Sequence, residues 1–351
     1  MNIKSLLLGS AAALAVVSGA QAADAIVAAE PEPMEYVRVC DAFGTGYFYI
    51  PGTETCLKVG GRVRYDIQAA NSYVANSDNG WNKQARAELY LNSASDTEFG
   101  ALKTNIVARW DWRTNGFASE DSNGDVVGLG NTRAKLIAAN ISLGGFVVGL
   151  ADSQYASFLG YAGDVINDDV IDFGVANYDE RAQISYTYDA GNGFSAVAAL
   201  EDHGENGGDN KYLPNIVAGA GYQAGAFGFK VVGGYDAVLE EGAIKARADA
   251  QFGGVSAFLM AGWNTDGDIK NNYAQWAGDW AVWGGVGAQL TDDLKANLQL
   301  AYDDGETFAA AANLKWTVVP GLLIQPEVTY TNWDATDEDQ WNGMVRFQRT
   351  F

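Results

Sequence analysis

The chain has 351 residues, with 22 Lys and Arg against 44 Asp and Glu, so its formal net charge is -22 at neutral pH. Such an acidic balance excludes a conventional nucleic-acid-binding protein, because that class presents a basic face that neutralises phosphates. Glycine is abundant at 42 residues, proline is scarce at 6, and aromatic residues make up 12%. This composition favours many twisted, closely packed strands over helices or disorder.

Residues 1–22 have the pattern of a secretory signal peptide. Lys4 supplies a positive start, residues 6–17 form an apolar core, and an Ala-Gln-Ala cleavage site ends at Ala22. The alternative is an N-terminal membrane anchor, but the apolar run is too short to span a bilayer as a helix. No later stretch is apolar and uncharged over a helical span, so the sequence excludes helical membrane insertion.

Residues 23–56 are predicted to form a leader that stays outside the main fold. Pro31 and Pro33 interrupt its first part, and Cys40 and Cys56 enclose a stretch that is typical of a stapled turn or short hairpin. Two cysteines in an exported protein indicate a disulfide, which would contribute about 3 kcal/mol in the chain-entropy model. A metal site is the rival interpretation, although the chain has one His and no further Cys.

From residue 57 to the end, segments of about ten residues alternate apolar and polar side chains. In the first of them Val63 and Tyr65 lie on one face, and Arg62 and Arg64 lie on the other. The segments are 57–69, 83–92, 101–112, 132–142, 146–152, 180–188, 194–201, 215–224, 229–238, 243–252, 255–264, 280–290, 294–302, 307–318, 322–333 and 341–351. About sixteen strands of this length predict an antiparallel transmembrane β-barrel with an even strand number.

The connections between these segments also alternate in length. Short turns are expected at 93–100, 144–145, 189–193, 225–228, 253–254, 291–293 and 319–321. Long polar loops are expected at 71–82, 113–131, 153–179, 202–214 and 265–279. Short periplasmic turns with long extracellular loops are the arrangement of an outer-membrane barrel. A soluble β-sandwich or jelly roll is the alternative, but here almost every strand carries charges on its second face.

The last segment explains how such a barrel would close. Trp341, Val345, Phe347 and Phe351 lie on one face, and the chain stops at Phe351 without a further turn. An open strand of this kind would leave an apolar edge that invites aggregation. Pairing the last strand with the first removes that edge, so Phe351 is predicted to take part in barrel closure.

Strand parity places fifteen of the 22 basic residues on the face that would line the lumen. A base against lipid at mid-bilayer would cost about 2–4 kcal/mol, which forces these side chains inward. The candidate pore wall consists of Arg62, Arg64, Arg86, Arg109 and Arg133. The alternative is a plugged core in which each base pairs with an acid, but about sixteen strands leave a water-filled channel.

The connection 153–179 is the longest and the least polar of the loops. An exposed loop has little reason to carry so many apolar side chains, so the loop is predicted to fold into the lumen and to pack against the inner wall. Its acids Asp164, Asp168, Asp169 and Asp172 would then face across the channel and create a transverse field. A cap over the mouth and a contact between subunits are the alternatives.

Three blocks of the chain resemble the general diffusion porins of alphaproteobacterial outer membranes. They are EYVRVCDAFGTGYFYIPGTETC at 35–56, which continues to residue 66, GYAGDVINDD at 160–169, and GMVRFQRTF at 343–351. The resemblance implies a sixteen-stranded barrel, a homotrimer, passive diffusion of small hydrophilic solutes and ions, and a third loop folded inward. It also implies that Asp164, Asp168 and Asp169 lie in the constricting loop, with Arg62 and Arg64 near the start of the facing wall.

The sequence therefore predicts a signal peptide at 1–22, a periplasmic leader with a Cys40–Cys56 disulfide at 23–56, and an outer-membrane barrel at 57–351. The expected function is a passive aqueous pore with no cofactor and no reaction. The expected partners are further copies of the chain, outer-membrane lipid and lipopolysaccharide, and small solutes, but no nucleic acid. The alternatives are a structural or adhesive barrel with a closed lumen and a barrel-embedded hydrolase.

Overall fold

The computed structural model describes residues 38–70, 80–120, 126–176, 179–204 and 212–351. The predicted signal peptide and residues 23–37 of the predicted leader lie outside these described residues. Within the described ranges, no helix is both long and apolar enough to cross a membrane.

Seventeen antiparallel strands occur in the described part of the chain, and sixteen of them form a closed barrel. The strands are β1 Phe48–Tyr49, β2 Cys56–Ala70, β3 Gly80–Thr97, β4 Gly100–Glu120, β5 Val126–Leu143, β6 Phe146–Asp152, β7 Glu180–Asp189, β8 Phe194–Glu201, β9 Asn215–Ala224, β10 Phe227–Asp236, β11 Glu241–Phe252, β12 Val255–Asn264, β13 Trp280–Gln289, β14 Leu294–Asp303, β15 Thr307–Val319, β16 Leu322–Trp333 and β17 Glu338–Thr350. Each of β2 to β17 pairs with its neighbours in the sequence, which confirms the predicted up-and-down barrel of sixteen strands.

The barrel closes where the last strand meets the first. Strand β17 pairs with β2 from Asn342↔Ala70 to Thr350↔Arg62. Beyond this register, the backbones of Phe351 and Gly61 exchange two hydrogen bonds of 3.0 Å. A Cβ on Gly61 would lie 2.5 Å from the carbonyl oxygen of Glu88, so the close approach of these strands requires glycine.

Side chains alternate between the two faces of the wall along each strand. On the outer face large apolar side chains are exposed, with Val63 at 54%, Trp263 at 54% and Leu259 at 63%. On the inner face, charged side chains such as Glu88 and Lys245 are buried. An apolar outer face with charged side chains on the inner face is typical of a barrel surrounded by lipid.

The strands on one side of the barrel are longer than the sequence pattern predicts. Strand β3 ends at Thr97 and strand β4 begins at Gly100, so the turn predicted at 93–100 is only residues 98–99 in the structure. Likewise, β4 continues to Glu120 and β5 begins at Val126, so most of the loop predicted at 113–131 is strand. The apolar alternation marks only the stretch that faces hydrocarbon, whereas backbone pairing continues into polar residues because every amide still needs a partner.

The N-terminal disulfide loop, residues 40–56, is attached to the first barrel strand. Cys40 and Cys56 form a disulfide with their Cα atoms 6.1 Å apart, which confirms the predicted pair. Both side chains are buried, and Cys56 is the first residue of β2. The short strand β1 pairs with β2 through Phe48↔Leu57 and Tyr49↔Cys56.

Two loops on the long-loop rim fold into the barrel interior. The third loop (residues 153–176 and 179) begins with a short helix, Gln154–Ser157, whose first turn is capped by Ser153. The sixth loop (residues 265–279) connects β12 to β13. Apolar side chains of both loops form one buried cluster with the inner face of β8 to β15, including Val217, Met260 and Trp283. This half of the interior is therefore a packed core. Such packing agrees with the prediction that the third loop folds into the lumen and packs against the inner wall.

Candidate functional site

Two rows of charged side chains cross the inner face of β2 to β5. The first row consists of Arg62, Glu88, Arg109 and Lys135, and the second consists of Arg64, Arg86, Asp111 and Arg133. Side chains that are directly opposite on neighbouring strands lie close enough to interact. Each row holds one acid among bases, so the two rows together carry a net positive charge.

The acids lie beneath the arginines. Arg62 Nη2 donates to Glu88 at 2.9 Å, and Arg109 Nε donates to the same carboxylate at 2.6 Å. Arg86 Nε donates to Asp111 at 2.6 Å. The two carboxylate side chains are 1% exposed, whereas Arg62 is 27% exposed. The guanidinium groups therefore form the surface that faces the interior water.

Arg64, in the second row, is repelled by a neighbouring base. It lies directly opposite Arg86, and like charges in that register destabilise a sheet. Asp66 offsets this repulsion, since its carboxylate lies 3.4 Å from Arg64 Nε. Asp66 also accepts two hydrogen bonds from Arg346 on β17, at 2.9 and 3.0 Å. The charged wall therefore extends across the closing strand. Arg346 is one of the fifteen bases that strand parity places on the lumen face, although the candidate pore wall did not include it.

The third loop is held against the opposite part of the wall by donors from the strands. Four of them donate to backbone carbonyls of the loop: Lys230 to Phe158 at 2.7 Å, Arg247 to Tyr161 at 2.5 Å, Trp283 to Ile171 at 2.8 Å, and Lys245 to Phe173. A carbonyl buried in a loop needs such a donor in place of water. Several bases that parity places in the lumen therefore anchor the loop.

The turn of the third loop is fixed by charged groups on β14 to β16. Glu327 accepts the backbone amides of Ile166 and Asn167 at 2.5 and 2.8 Å. Asp164 accepts from the ammonium groups of Lys295 at 2.7 Å and Lys315 at 2.9 Å. Burial opposes ionisation of Asp164, but these hydrogen bonds and positive charges hold its pKa below the usual carboxyl value.

After this turn, the loop returns across the interior and brings its other acids opposite the arginines. Asp168, Asp169, Asp172 and Asp179 line one side of a cavity of about 650 Å3, and Arg109 lines the other. Asp152 and Glu180, at the ends of β6 and β7, also line the cavity. Asp164 does not, because its carboxylate is turned toward the lysines on β14 and β15.

Burial changes the ionisation of the acids along the returning arm. It raises the pKa of Asp168 to about 8, with a further contribution from the charge of Asp169. It raises the pKa of Asp179 to about 6, helped by the charge of Asp152. The pKa of Asp172 is also raised by burial, although a hydrogen bond from the Gly174 amide opposes the shift. Burial and mutual repulsion both disfavour the ionised form of carboxyl groups that lie close together, so their pKa values rise.

The structure brings most of the predicted site residues together in one region. Arg62 and Arg109 share Glu88, Arg86 pairs with Asp111, and Arg64 pairs with Asp66. Arg133 lies opposite Asp111 in the second row. The anchoring roles of Lys295, Lys315 and Glu327 were not predicted from the sequence. A usable signal existed for the lysines, because Lys295 and Lys315 lie directly opposite each other on one face and need an acid nearby. Within the described ranges, no three His, Cys, Asp or Glu side chains are arranged to hold a metal ion.

Both the sequence and the structure of the chain are similar to those of porins. A family model described as the Porin subfamily matches residues 24–348. The chain is 47% identical to "Porin Omp2b" of Brucella suis biovar 1 and of Brucella melitensis biotype 1, in each case over 100% of both chains.

Solved structures of other bacterial proteins share the fold of this chain. The channel DcaP of Acinetobacter baumannii matches with a TM-score of 0.61 and 15% identity, over 86% of this chain and 99% of that one. An anion-selective porin from Comamonas acidovorans matches with a TM-score of 0.60 and 15% identity, over 85% and 100%. The trimer form of OmpT from Vibrio cholerae matches with a TM-score of 0.60 and 10% identity, over 85% and 100%. The chain therefore belongs to the porin subfamily and is a diffusion porin of the bacterial outer membrane.

Proposed function

We propose that solutes cross the barrel between the arginine rows and the returning arm of the third loop. Arg62, Arg64, Arg86, Arg109 and Arg133 form the pore wall in this proposal. Asp168, Asp169 and Asp172 form the facing side of the constriction, and Asp164 holds the loop in place. One observation carries the proposal: Arg109 and the three aspartates line the same cavity of about 650 Å3.

Opposite charges across a narrow wet gap create a field perpendicular to the direction of diffusion. A small dipolar solute can orient in that field and replace some of the hydrogen bonds of the displaced water. An apolar solute cannot, because it would have to strip water from charged groups without compensation. The expected substrates are therefore small hydrophilic molecules and ions, which diffuse passively without a cofactor and without any reaction.

The proposal includes the surroundings of the pore. The exposed apolar outer face is suited to contact with outer-membrane lipid and lipopolysaccharide. A homotrimer is the proposed assembly, in line with the trimer form of the Vibrio cholerae protein that shares the fold. Residues 1–22 are proposed to be a cleaved export signal, and residues 23–56 a periplasmic leader stapled by the disulfide.

Purified, refolded protein in planar bilayers tests the proposed pore. Stepwise conductance, together with swelling of protein-containing liposomes in small sugars but not in large ones, is the expected result. A structural or adhesive barrel with a closed lumen would give conductance near zero and no swelling at any sugar size. A barrel-embedded hydrolase would instead show cleavage of a lipid or sugar that is lost when one acid is replaced.

A further inference from the structure

The sixth loop enters the barrel although its sequence is polar. It carries Asp266, Asp268 and Lys270, and the sequence pattern predicts it outside the barrel among the extracellular loops. In the structure, Tyr273 is 0% exposed and Trp276 is 1% exposed. Both rings belong to the buried cluster that fills the β8 to β15 side of the interior. The second half of this loop is therefore part of the core.

The inner wall provides a seat for each of these two rings. A Cβ on Gly234 of β10 would lie 2.6 Å from Cδ1 of Tyr273, and a Cβ on Gly262 of β12 would lie 2.7 Å from Cη2 of Trp276. Ordinary contacts between carbon atoms are about 3.5–4.0 Å. Any side chain at these two strand positions would push the ring away. Glycine in a strand interior often marks such a close approach.

The seated loop contacts the third loop at its beginning and at its end. The rings of Tyr273 and Tyr155 have centroids 4.9 Å apart. The backbone carbonyl of Asn272 accepts the amide of Ala176 at 3.0 Å. Trp276 also packs edge-on against Trp283, with centroids 5.6 Å apart, and Trp283 holds the carbonyl of Ile171. The sixth loop thus contacts the third loop directly at Tyr155 and Ala176 and supports Ile171 through Trp283.

Two buried side chains tie the same contact together. Glu201 accepts from Ser153 at 2.7 Å, from the amide of Gln154 at 2.8 Å and from Tyr273 Oη at 3.2 Å. Arg181 Nη2 donates to the carbonyl of Ala176 at 2.5 Å and to Oδ1 of Asn272 at 3.0 Å. Buried networks of this kind are costly to leave partly satisfied, so they define one arrangement of the two loops.

We propose that the sixth loop is a positioning element that sets the cross-section of the pore. Tyr273 packs against Tyr155 in the opening helix of the third loop, and Trp276 packs against Trp283, which donates to Ile171 of the returning arm. Asn272 accepts the amide of Ala176 at the end of that arm. No residue of the sixth loop is among those that line the cavity between that arm and Arg109. The inference rests on the proposed function, since it takes the gap beside Asp168, Asp169 and Asp172 as the route for solutes. Removing the support lets the arm move away from the arginines and widens the route.

The test uses two neighbouring glycines on opposite faces of β10. Gly234→Ala adds one methyl group under Tyr273 and is expected to displace the sixth loop. Gly233→Ala adds the same methyl group on the other face, where its nearest neighbour is a side-chain carbon of Ile244 at 3.7 Å. Single-channel conductance and the sugar exclusion limit in liposome swelling are measured for the full chain. Gly234→Ala is expected to raise the conductance and shift the exclusion limit to larger sugars, and Gly233→Ala is expected to match wild type.

A second pair of variants keeps the test decisive if Gly234→Ala does not fold. Tyr273→Ala removes the ring without adding an atom and is expected to widen the pore in the same way. Tyr273→Phe keeps the ring and loses only the hydroxyl that donates to Glu201, so it is expected to widen the pore less than Tyr273→Ala. Folded barrel content is checked by circular dichroism. Folded Gly234→Ala and Tyr273→Ala with wild-type conductance and exclusion limit would overturn the inference. Absence of conductance in the wild type would instead refute the proposed pore itself.

Discussion

Arg109 Nε donates a 2.6 Å hydrogen bond to Glu88, the acid that lies beneath it on the neighbouring strand. Glu88 also accepts from Arg62, so a single carboxylate serves two guanidinium groups. The acid is 1% exposed and Arg109 is 18% exposed. In the proposed pore, a permeating ion is therefore expected to meet the arginines and not the acid, and to respond to the positive charge of the wall.

Replacing Arg109 with Gln is expected to shift the pore toward cations. A unit charge about 6 Å from an ion in water changes its energy by about 0.7 kcal/mol, which corresponds to roughly a threefold change in partitioning. The measurement is the reversal potential in a salt gradient. Arg349→Gln, which makes the same charge change at an exposed position on the turn side of β17, is the matched control. An Arg109→Gln pore with the reversal potential of the control would remove Arg109 from the conduction path.

The returning arm is expected to make ion selectivity depend on pH. Asp168, with a pKa of about 8, takes up a proton as the pH falls from 9 to 7, and Asp179, with a pKa of about 6, follows as the pH falls toward 5. Each step removes one negative charge from the side that faces Arg109. The cation preference is therefore expected to fall as the pH is lowered, in reversal potentials recorded over this range.

Two variants assign the steps of that titration. Asp168→Asn is expected to abolish the change near pH 8 and leave the change near pH 6, because its amide carries no charge at any pH. Asp179→Asn is expected to do the opposite. If each variant keeps both steps, the titrating groups lie elsewhere, and the charges of these two acids do not reach the permeating ions.

The two anchors of the third-loop turn are expected to differ in strength. Glu327 is 6% exposed and accepts hydrogen bonds from two backbone amides of the loop. In Glu327→Gln, the side-chain NH2 group would replace one of the two acceptor oxygens. Each buried donor that is left unpaired in this way costs about 1–3 kcal/mol of stability. The pairs of Asp164 with Lys295 and Lys315 are 29–42% exposed, and such pairs are worth only about 0.2–1 kcal/mol. Hydrogen exchange of the loop amides should therefore rise more in Glu327→Gln than in Asp164→Asn.

A control for that comparison is Glu98→Gln, which makes the same change in an exposed turn between β3 and β4. Its third-loop exchange is expected to equal that of wild type. Equal exchange in Glu327→Gln and Glu98→Gln would show that the turn is held by the apolar cluster and not by the carboxylate.

The disulfide is expected to stabilise the fold without affecting the pore. Cys40 and Cys56 are 16 residues apart, and a cross-link over such a loop contributes about 3 kcal/mol in the chain-entropy model. The double variant Cys40→Ser with Cys56→Ser should unfold at lower denaturant concentration and conduct like wild type. A changed conductance would mean that the disulfide also positions part of the pore wall.

Alternation with a period of two made the wall of this barrel predictable. Strands β6, β8, β9, β12 and β16 begin and end where the pattern predicts, because their ends coincide with the ends of the apolar stripe. The same parity placed Arg62 and Arg109 on the inner face, since lipid excludes charge on the other. The ends of β3 and β4 were not predictable in this way, because their polar extensions lie beyond the stripe.

Contacts inside the barrel could not be predicted from local pattern. Asp164 and Lys315 are 151 residues apart, and nothing near Asp164 indicates that it faces lysines and not arginines. The sixth loop was predicted to be extracellular because it is a long, polar connection, but two rings in its second half decide its position. The glycines that seat those rings, Gly234 and Gly262, lie in distant strands, where a glycine can equally mark a bulge or a bend.

The most direct test of the half-packed, half-open interior is cysteine labelling from the aqueous phase. Both native cysteines are in the disulfide, so a single introduced cysteine provides the only free thiol. Arg109→Cys faces the cavity, whereas Met260→Cys lies on the inner face of β12 at 0% exposure, under the two inward loops.

A charged thiol reagent is expected to label the folded Arg109→Cys pore and lower its conductance, and to leave Met260→Cys unlabelled until the protein is unfolded. Equal labelling of both variants in the folded state would contradict a packed half. A folded Arg109→Cys variant that resists the reagent would contradict a water-filled pore beside the arginines.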